Sequence, residues 1–144
     1  MDGLDQKIME LLKQNSRMTS SEISRQIHLS VPAVAERIRK LEEGGVIQSF
    51  TVKLNREKSG ILLVAFILIQ LDKPEHITGF KEMVLQEKRV LECHHIAGGY
   101  DYLLKVAVAN TGELEHLISH TLKNGAGVAK TNTMIALSTV KEEM

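Results

Sequence analysis

Apolar and polar positions repeat along this chain with two periods, and the change between them divides it. From Asp2 to Gln14, Leu4, Ile8, Leu11 and Leu12 recur three and four residues apart, which predicts a helix with one apolar face. The same period continues from Thr19 to Leu41 in two shorter runs. Thr19 with Glu22 three residues on is a capping box, and Ile23 and Ile27 give the helix it opens a single apolar side. His28-Leu29 predicts a turn, Ser30 the next N-cap, and Pro32 falls in a first turn, where a missing N–H is harmless. Val31, Val34, Ile38 and Leu41 form the stripe of the last helix, which Gly44-Gly45 stops. At about 100° per residue its opposite side carries Pro32, Ala33, Glu36 and Lys40, flanked by Arg37 and Arg39.

Beyond the glycines the period drops to two. Val46 to Leu54 alternates with Phe50, Val52 and Leu54 on one side, which predicts a strand serving as a wing or hinge. The polar run Asn55 to Gly60 predicts a linker, so the expected units are 1–54 and 61–144 with 55–60 between them. The second unit reads as a strand over Leu62–Leu71 and a helix over Pro74–Glu87, carrying Ile77, Phe80 and Val84 on one face. Strands over Val90–Ala97 and Tyr102–Ala109 flank a Gly98-Gly99 hairpin turn, where paired glycines supply positive φ. A helix over Thr111–Lys123, capped by Asn110 and Glu113, and a strand over Val128–Val140 complete the order βαββαβ. The fold class is therefore α+β: a winged-type helix-turn-helix unit followed by a ferredoxin-like unit with both helices on one face of an antiparallel sheet. The first strand, Leu-Leu-Val-Ala-Phe-Ile-Leu-Ile, has no polar alternation, so both of its faces want burial. Helices cover one; the same sheet of a second copy covers the other, which predicts an isologous homodimer.

Two helices joined by a tight turn, the second holding its basic residues off its apolar stripe, are how a recognition helix is presented to the DNA major groove. Ala33, Glu36, Arg37 and Lys40 are expected to face the groove, with Arg39 beside them and Val31 and Pro32 available to thymine methyls. Ser20, Ser21, Arg25 and the capping Ser30 are expected along the phosphates. Composition adjusts this picture only slightly. Eighteen basic residues balance eighteen acidic ones, yet residues 1–60 hold ten Lys/Arg against eight Asp/Glu, so a mild positive excess lies on the helix-turn-helix half. No Trp, two Tyr and three Phe leave no stacking platform for single strands, which favours duplex DNA. A hydrophobic fraction of 43% predicts a folded chain, and the lone Cys93 suits a reducing cytoplasm. The longest apolar run, Ile61 to Ile69, is too short to span a bilayer.

The loop Gly98-Gly99-Tyr100-Asp101 carries a second possibility. Glycines let a ligand approach backbone N–H groups that receive a carboxylate, Asp101 accepts an ammonium group, and Met134 receives an apolar side chain. Histidines raise the question of a metal. His116 and His120 are four apart but opposite the Leu114/Leu117/Ile118 stripe, where solvation explains them, and His94 and His95 point to opposite faces of a strand. No metal and no cofactor are expected.

Fragments spread over the whole chain resemble the Lrp/AsnC (feast/famine) transcriptional regulators. They are Leu4-Asp5 with Ile8 and Leu11-Leu12, Ser16-Arg17, Leu29 to Val34, Arg37-Ile38-Arg39-Lys40-Leu41-Glu42 and Gly45-Val46-Ile47, followed by Glu92-Cys93-His94, Gly98 to Lys105 and Thr131-Asn132-Thr133. The resemblance implies a DNA-binding regulator that assembles as dimers, tetramers or octamers, bends or wraps DNA, and stays in the cytoplasm with the nucleoid. It implies an amino-acid effector bound between subunits by Gly98, Gly99, Tyr100 and Asp101, with Thr133 and Met134 contributing. Many members carry an acidic residue where this chain has Gly99, which removes one polar contact. Two alternatives share the fold. One is a DNA organiser without effector. The other is a tetrapyrrole decarboxylase-like enzyme using Arg89, His94 and His95, against which the intact recognition-helix pattern argues; no catalytic residue is expected.

Overall fold

The computed structural model describes every residue except Ala126 and Met144, and it divides into two compact units, Met1–Lys53 and Leu54–Met144. The first unit is three helices: α1 (Gly3–Gln14), α2 (Ser20–Ile27) and α3 (Val31–Glu43). Each begins at a side-chain cap. Asp2 and Thr19 form reciprocal capping boxes with Asp5 and Glu22, and Ser30 Oγ accepts from the Ala33 N–H at 3.2 Å. His28 ends α2 at φ +58, a left-handed position that usually falls to glycine or asparagine. Ile8, Leu12, Ile23, Val34 and Leu41 form the core, joined by half-buried Leu11, Ile27, Ile38 and Ile47.

The expected strand over Val46–Leu54 does not form. Its alternation says which side a strand would bury, but a strand also needs a hydrogen-bonding neighbour, and among the described residues none lies alongside. Val46 and Ile47 instead donate back to the Leu41 carbonyl, while Phe50, Val52 and Leu54 stay exposed. The polar run that follows is a knot of turns, with Ser59 N–H donating to Asn55 O at 3.1 Å and Ile61 N–H to Arg56 O at 2.8 Å.

The second unit is a four-stranded antiparallel sheet of β1 (Leu63–Leu71), β2 (Val90–His95), β3 (Tyr102–Val108) and β4 (Val128–Ile135), in spatial order β2-β3-β1-β4. A 3-10 turn (Pro74–His76) leads into α4 (Ile77–Gln86), and α5 (Thr111–His116) follows β3. This is the expected ferredoxin-like arrangement. Ala65, Ile67 and Ile69 of β1 pair with Val106, Leu104 and Tyr102 of β3, and these six are buried with Phe80 and Val84 of α4 and Leu114 of α5. The alternate residues Val64, Phe66 and Leu68, beside Leu103 and Ala107 of β3 and Met134 of β4, make up the sheet's other face.

Two elements depart from their periodicity. The helix expected to Lys123 is α-helical only to His116, and Leu117–Leu122 is a π turn closed by Lys123 N–H on Ile118 O. In an α-helix Leu117 and Leu122, five residues apart, would stand about 140° from one another. The wider turn brings both into the core, fully buried. The last strand stops at Ile135 rather than Val140, because its partner β1 begins at Leu63 and Ala136 N–H makes the final bond to Val64 O. Leu137 and Val140 are left fully exposed.

Candidate functional site

α3 is held by Val34, Ile38 and Leu41 on one side, and this sets what it shows on the other. Pro32, Ala35, Glu36, Arg39 and Lys40 are exposed, and Ser30 and Val31 project at its start. Four expectations change here. Val31, read as part of the apolar stripe, is 43% exposed and is not among the residues packed on the three-helix core. Ala33, expected outward, is half-buried, and Ala35, which drew no notice, takes the outward place. Arg39 lies near the middle of the outer row rather than on its flank.

Arg37 does not face outward either. Its Nη1 donates to Asp2 Oδ1 and Oδ2 at 2.9 Å and to Asp5 Oδ1 at 3.0 Å, tying α3 to the capping box of α1. The N–H groups of the cap and the Arg37 guanidinium hold the Asp2 carboxyl below its ordinary range. Arg39 reaches along its own helix: Nε donates to Glu36 Oε2 at 2.8 Å, Nη2 to Glu36 Oε1 at 2.6 Å, and Nη1 to Glu43. Lys40 Nζ is 3.9 Å from the same Glu36 carboxylate. Glu36 is held below the usual carboxylate range, chiefly by the Arg39 hydrogen bonds, and the Arg39 guanidinium is raised in turn. On α2, Ser21 and Arg25 are exposed, with Arg25 Nε 3.5 Å from Ser21 O, and Ser20 is half-buried.

In the second unit the loop between β2 and β3 is longer than a two-residue hairpin, running from Ile96 to Asp101. Gly98 has φ +142, but Gly99 does not have a positive φ, so only the first glycine needs its conformational freedom. The loop is pinned across to the end of β1. Asp101 N–H donates to Ile69 O at 2.8 Å, and Asp101 Oδ2 accepts from Leu71 N–H at 2.8 Å. Lys130 Nζ lies over the Tyr100 ring at 5.7 Å, and the His95 and Tyr102 rings stack at 4.9 Å. Asp101 also lines a cleft of about 160 Å³ with Leu71, Asp72, Lys73, Pro74, Ile77, His95 and Tyr102.

Of the residues expected to bind with the loop, Thr133 and Met134 lie apart from it within one chain. They pair with Ile67 and Phe66, further along β1 than the Ile69–Leu71 end where the loop sits, and they point to opposite faces. Asp72, Lys73 and His95 line the cleft instead. The antiparallel register was the signal for the first two, since the exit of β1 must lie beside the β2–β3 connection.

The residues raised for an enzyme do not converge. Arg89 Nε and Nη2 donate to Glu87 and Nη2 also to Thr121 Oγ1, His94 Nε2 meets Glu92 at 3.0 Å, and His95 stacks on Tyr102. His116 is not simply solvated: its Nδ1 is 3.2 Å from Arg89 Nη1 and its ring stacks on His120 at 4.8 Å. Among the described residues no group of three or more His, Cys, Asp or Glu is placed to hold a metal ion. Among the described residues no helix is long and apolar enough to cross a membrane.

Comparison with known proteins bears on both surfaces. Residues 1–48 match a winged helix-turn-helix DNA-binding family, and residues 64–144 match the Lrp/AsnC ligand binding domain. An HTH-type transcriptional regulator of Pyrococcus horikoshii is 36% identical over 143 residues, covering 99% of this chain and 95% of the relative. The leucine-responsive regulatory protein of Haemophilus influenzae is 31% identical over 144 residues, covering 99% and 87%. Among solved structures, a Neisseria meningitidis transcriptional regulator in complex with L-methionine superposes with a TM-score of 0.95 at 27% identity, covering 99% of this chain and 94% of that one. The Mycobacterium tuberculosis leucine response regulatory protein does so with a TM-score of 0.85 at 32% identity, covering 99% and 96%. With a helix-turn-helix at one end, a ligand-binding sheet at the other and relatives matched along nearly its whole length, this chain belongs to the Lrp/AsnC family of DNA-binding transcriptional regulators.

Proposed function

We propose that the outer row of α3, Pro32, Ala35, Glu36, Arg39 and Lys40 with Ser30 and Val31 at its start, enters the major groove of duplex DNA. Ser20, Ser21 and Arg25 then lie along the phosphates. The observation that carries this reading is the division of labour on α3. Arg37 is spent on α1, whereas Arg39 and Lys40 stand exposed on the side away from the core. Arg37 and Ala33 are positioning and packing residues in this reading rather than contacts. The test is Arg39→Ala in the full chain against duplex DNA. A lost base contact weakens the selected site by roughly 1–3 kcal/mol, at one position. Unchanged affinity on every duplex would place another surface in the groove.

The ligand of the second unit is, in this reading, an amino acid seated in the cleft beside the 98–101 loop. One oxygen of Asp101 is committed to Leu71 N–H and the other is left for an α-ammonium group. The neighbour bound to L-methionine supports the ligand class. The apolar face carrying Val64, Phe66, Leu68, Leu103 and Met134 pairs with its copy in a homodimer. That Val64, Phe66, Leu68 and Leu103 are only half-buried and Met134 is exposed in one chain supports this. No catalytic step is assigned to Arg89, His94 or His95.

A further inference from the structure

On the outer row of α3 the Arg39 fork is already occupied. Its Nε and Nη2 meet both oxygens of Glu36, at 2.8 and 2.6 Å, in a two-bond pair, and Nη1 is held by Glu43. All three side chains are near half exposed or more, at 51% for Arg39, 48% for Glu36 and 62% for Glu43, so the network sits on the presented surface. The edge of guanine in the major groove offers O6 and N7, two acceptors spaced to receive the same guanidinium fork. In the free protein Glu36 therefore occupies the place a guanine edge would take. When Arg39 turns to a guanine, the Glu36 carboxylate is released one helical turn away. Three residues rise about 4.5 Å along the helix, between one and two base-pair steps of about 3.4 Å, which puts the two side chains on neighbouring pairs. A carboxylate there accepts from the N4 amino group of cytosine.

We propose that Glu36 and Arg39 are the specificity-determining pair of this regulator, Arg39 reading a guanine and Glu36 a cytosine in the adjacent base pair. Glu43 is the group that draws Arg39 back on DNA lacking that pair. The proposal rests on α3's outer row entering the major groove. A phosphate is a poor substitute for the guanine edge in this arrangement. Reaching it strips Arg39 of three hydrogen bonds and leaves the Glu36 and Glu43 carboxylates beside the polyanion. The carboxylates thus lower affinity for arbitrary duplex more than for the cognate site, which is how repulsive contacts create discrimination.

The test is selection from a random duplex library at one salt concentration, using the full chain as wild type, Glu36→Gln, Glu43→Gln and Arg39→Ala, with affinity for unselected duplex measured in parallel. Wild-type sites are expected to fix a G·C pair that Arg39→Ala no longer fixes. Glu36→Gln is expected to shift the cytosine toward adenine, which the glutamine amide pairs with, and to tighten binding to unselected duplex by about fivefold. Glu43→Gln tightens unselected binding with the motif intact. An unchanged motif in Glu36→Gln, or weaker binding of that variant to unselected duplex, overturns the proposal while leaving α3 in the groove. If Arg39→Ala binds every duplex as the wild type does, the placement of α3 fails and the proposal fails with it.

Discussion

Asp101 holds two jobs that a pair of substitutions separates. Its Oδ2 accepts the Leu71 N–H at 2.8 Å at the point where β1 leaves the sheet, and the contact is partly buried. Asp101→Ala deletes the acceptor and leaves that N–H without a partner, which costs about 1–2 kcal/mol for a half-buried amide. A unit of this size loses about 4–8 °C in melting temperature per kcal/mol, so the transition of the Leu54–Met144 unit should fall by about 5–15 °C. Asp101→Asn keeps an oxygen that accepts the same N–H but carries no charge. It should melt within a few degrees of the wild type while its affinity for an amino acid falls at least about tenfold, the loss of one charge-assisted hydrogen bond. Calorimetry at a fixed protomer concentration reads the first effect, and titration with amino acids reads the second. If Asp101→Ala melts like the wild type, the Leu71 bond does not hold the loop. If Asp101→Asn binds amino acids as tightly as the wild type, the carboxylate does not receive the ammonium group.

Three further outcomes are expected. Gly127 has φ +71, and a Cβ there would lie 2.3 Å from His76 Cγ and 2.4 Å from His76 Cβ, so Gly127→Ala should cost about 2 kcal/mol or more, and adding His76→Ala, which keeps that Cβ, should recover only a fraction of it. Glu87 is held below its ordinary value of 4.5 first by the Arg89 hydrogen bond, so its contribution is present above that pH and lost as pH falls through the lowered folded value. Glu87→Gln should flatten the acid limb of stability below about pH 4.5, and an unchanged limb would mean the pair is open in solution. Arg37→Ala should lower the melting temperature of the three-helix unit by freeing Asp2 and Asp5, yet leave the salt dependence of DNA binding as in the wild type. A salt slope smaller by about one would return Arg37 to the phosphates.

Much of the fold was legible because its signals are local. The capping box at Thr19, the Ser30 cap and the Asn110 cap each show a polar residue just ahead of an apolar helical run. The strand order followed from the βαββαβ alternation. What periodicity misread has a physical cause in each case. Residues 46–54 alternate like a strand but join no sheet among the described residues, and pairing is not a property of one segment. The π turn at Leu117–Leu122 satisfies two leucines that α-helical arithmetic would separate, and only the core tells the chain to widen there. At the candidate sites, types were legible and directions were not. Arg37 and Arg39 are two apart and read alike, yet an acidic cap on α1 takes one and the other stays on the surface. Thr133 and Met134 are grouped with the loop by resemblance, across subunits; within one chain, strand register sets them further along β1.

The charge balance of the chain has a counterpart on α3. A surface that offers Arg39 and Lys40 while holding Glu36 and Glu43 beside them gains little from counterion release at any one contact. One such helix would hold duplex weakly and rely on matched base edges for what it does hold. Two copies joined through the apolar face of the sheet change the arithmetic without changing any contact. The second helix then binds at an effective concentration set by the join rather than by the solution. In the proposed dimer, discrimination belongs to α3 and affinity to the face that carries Phe66 and Met134. A ligand beside Asp101, at the end of that same sheet, has no need to touch DNA to alter binding. It need only favour one arrangement of the paired sheets over another, by as much as its affinity differs between them.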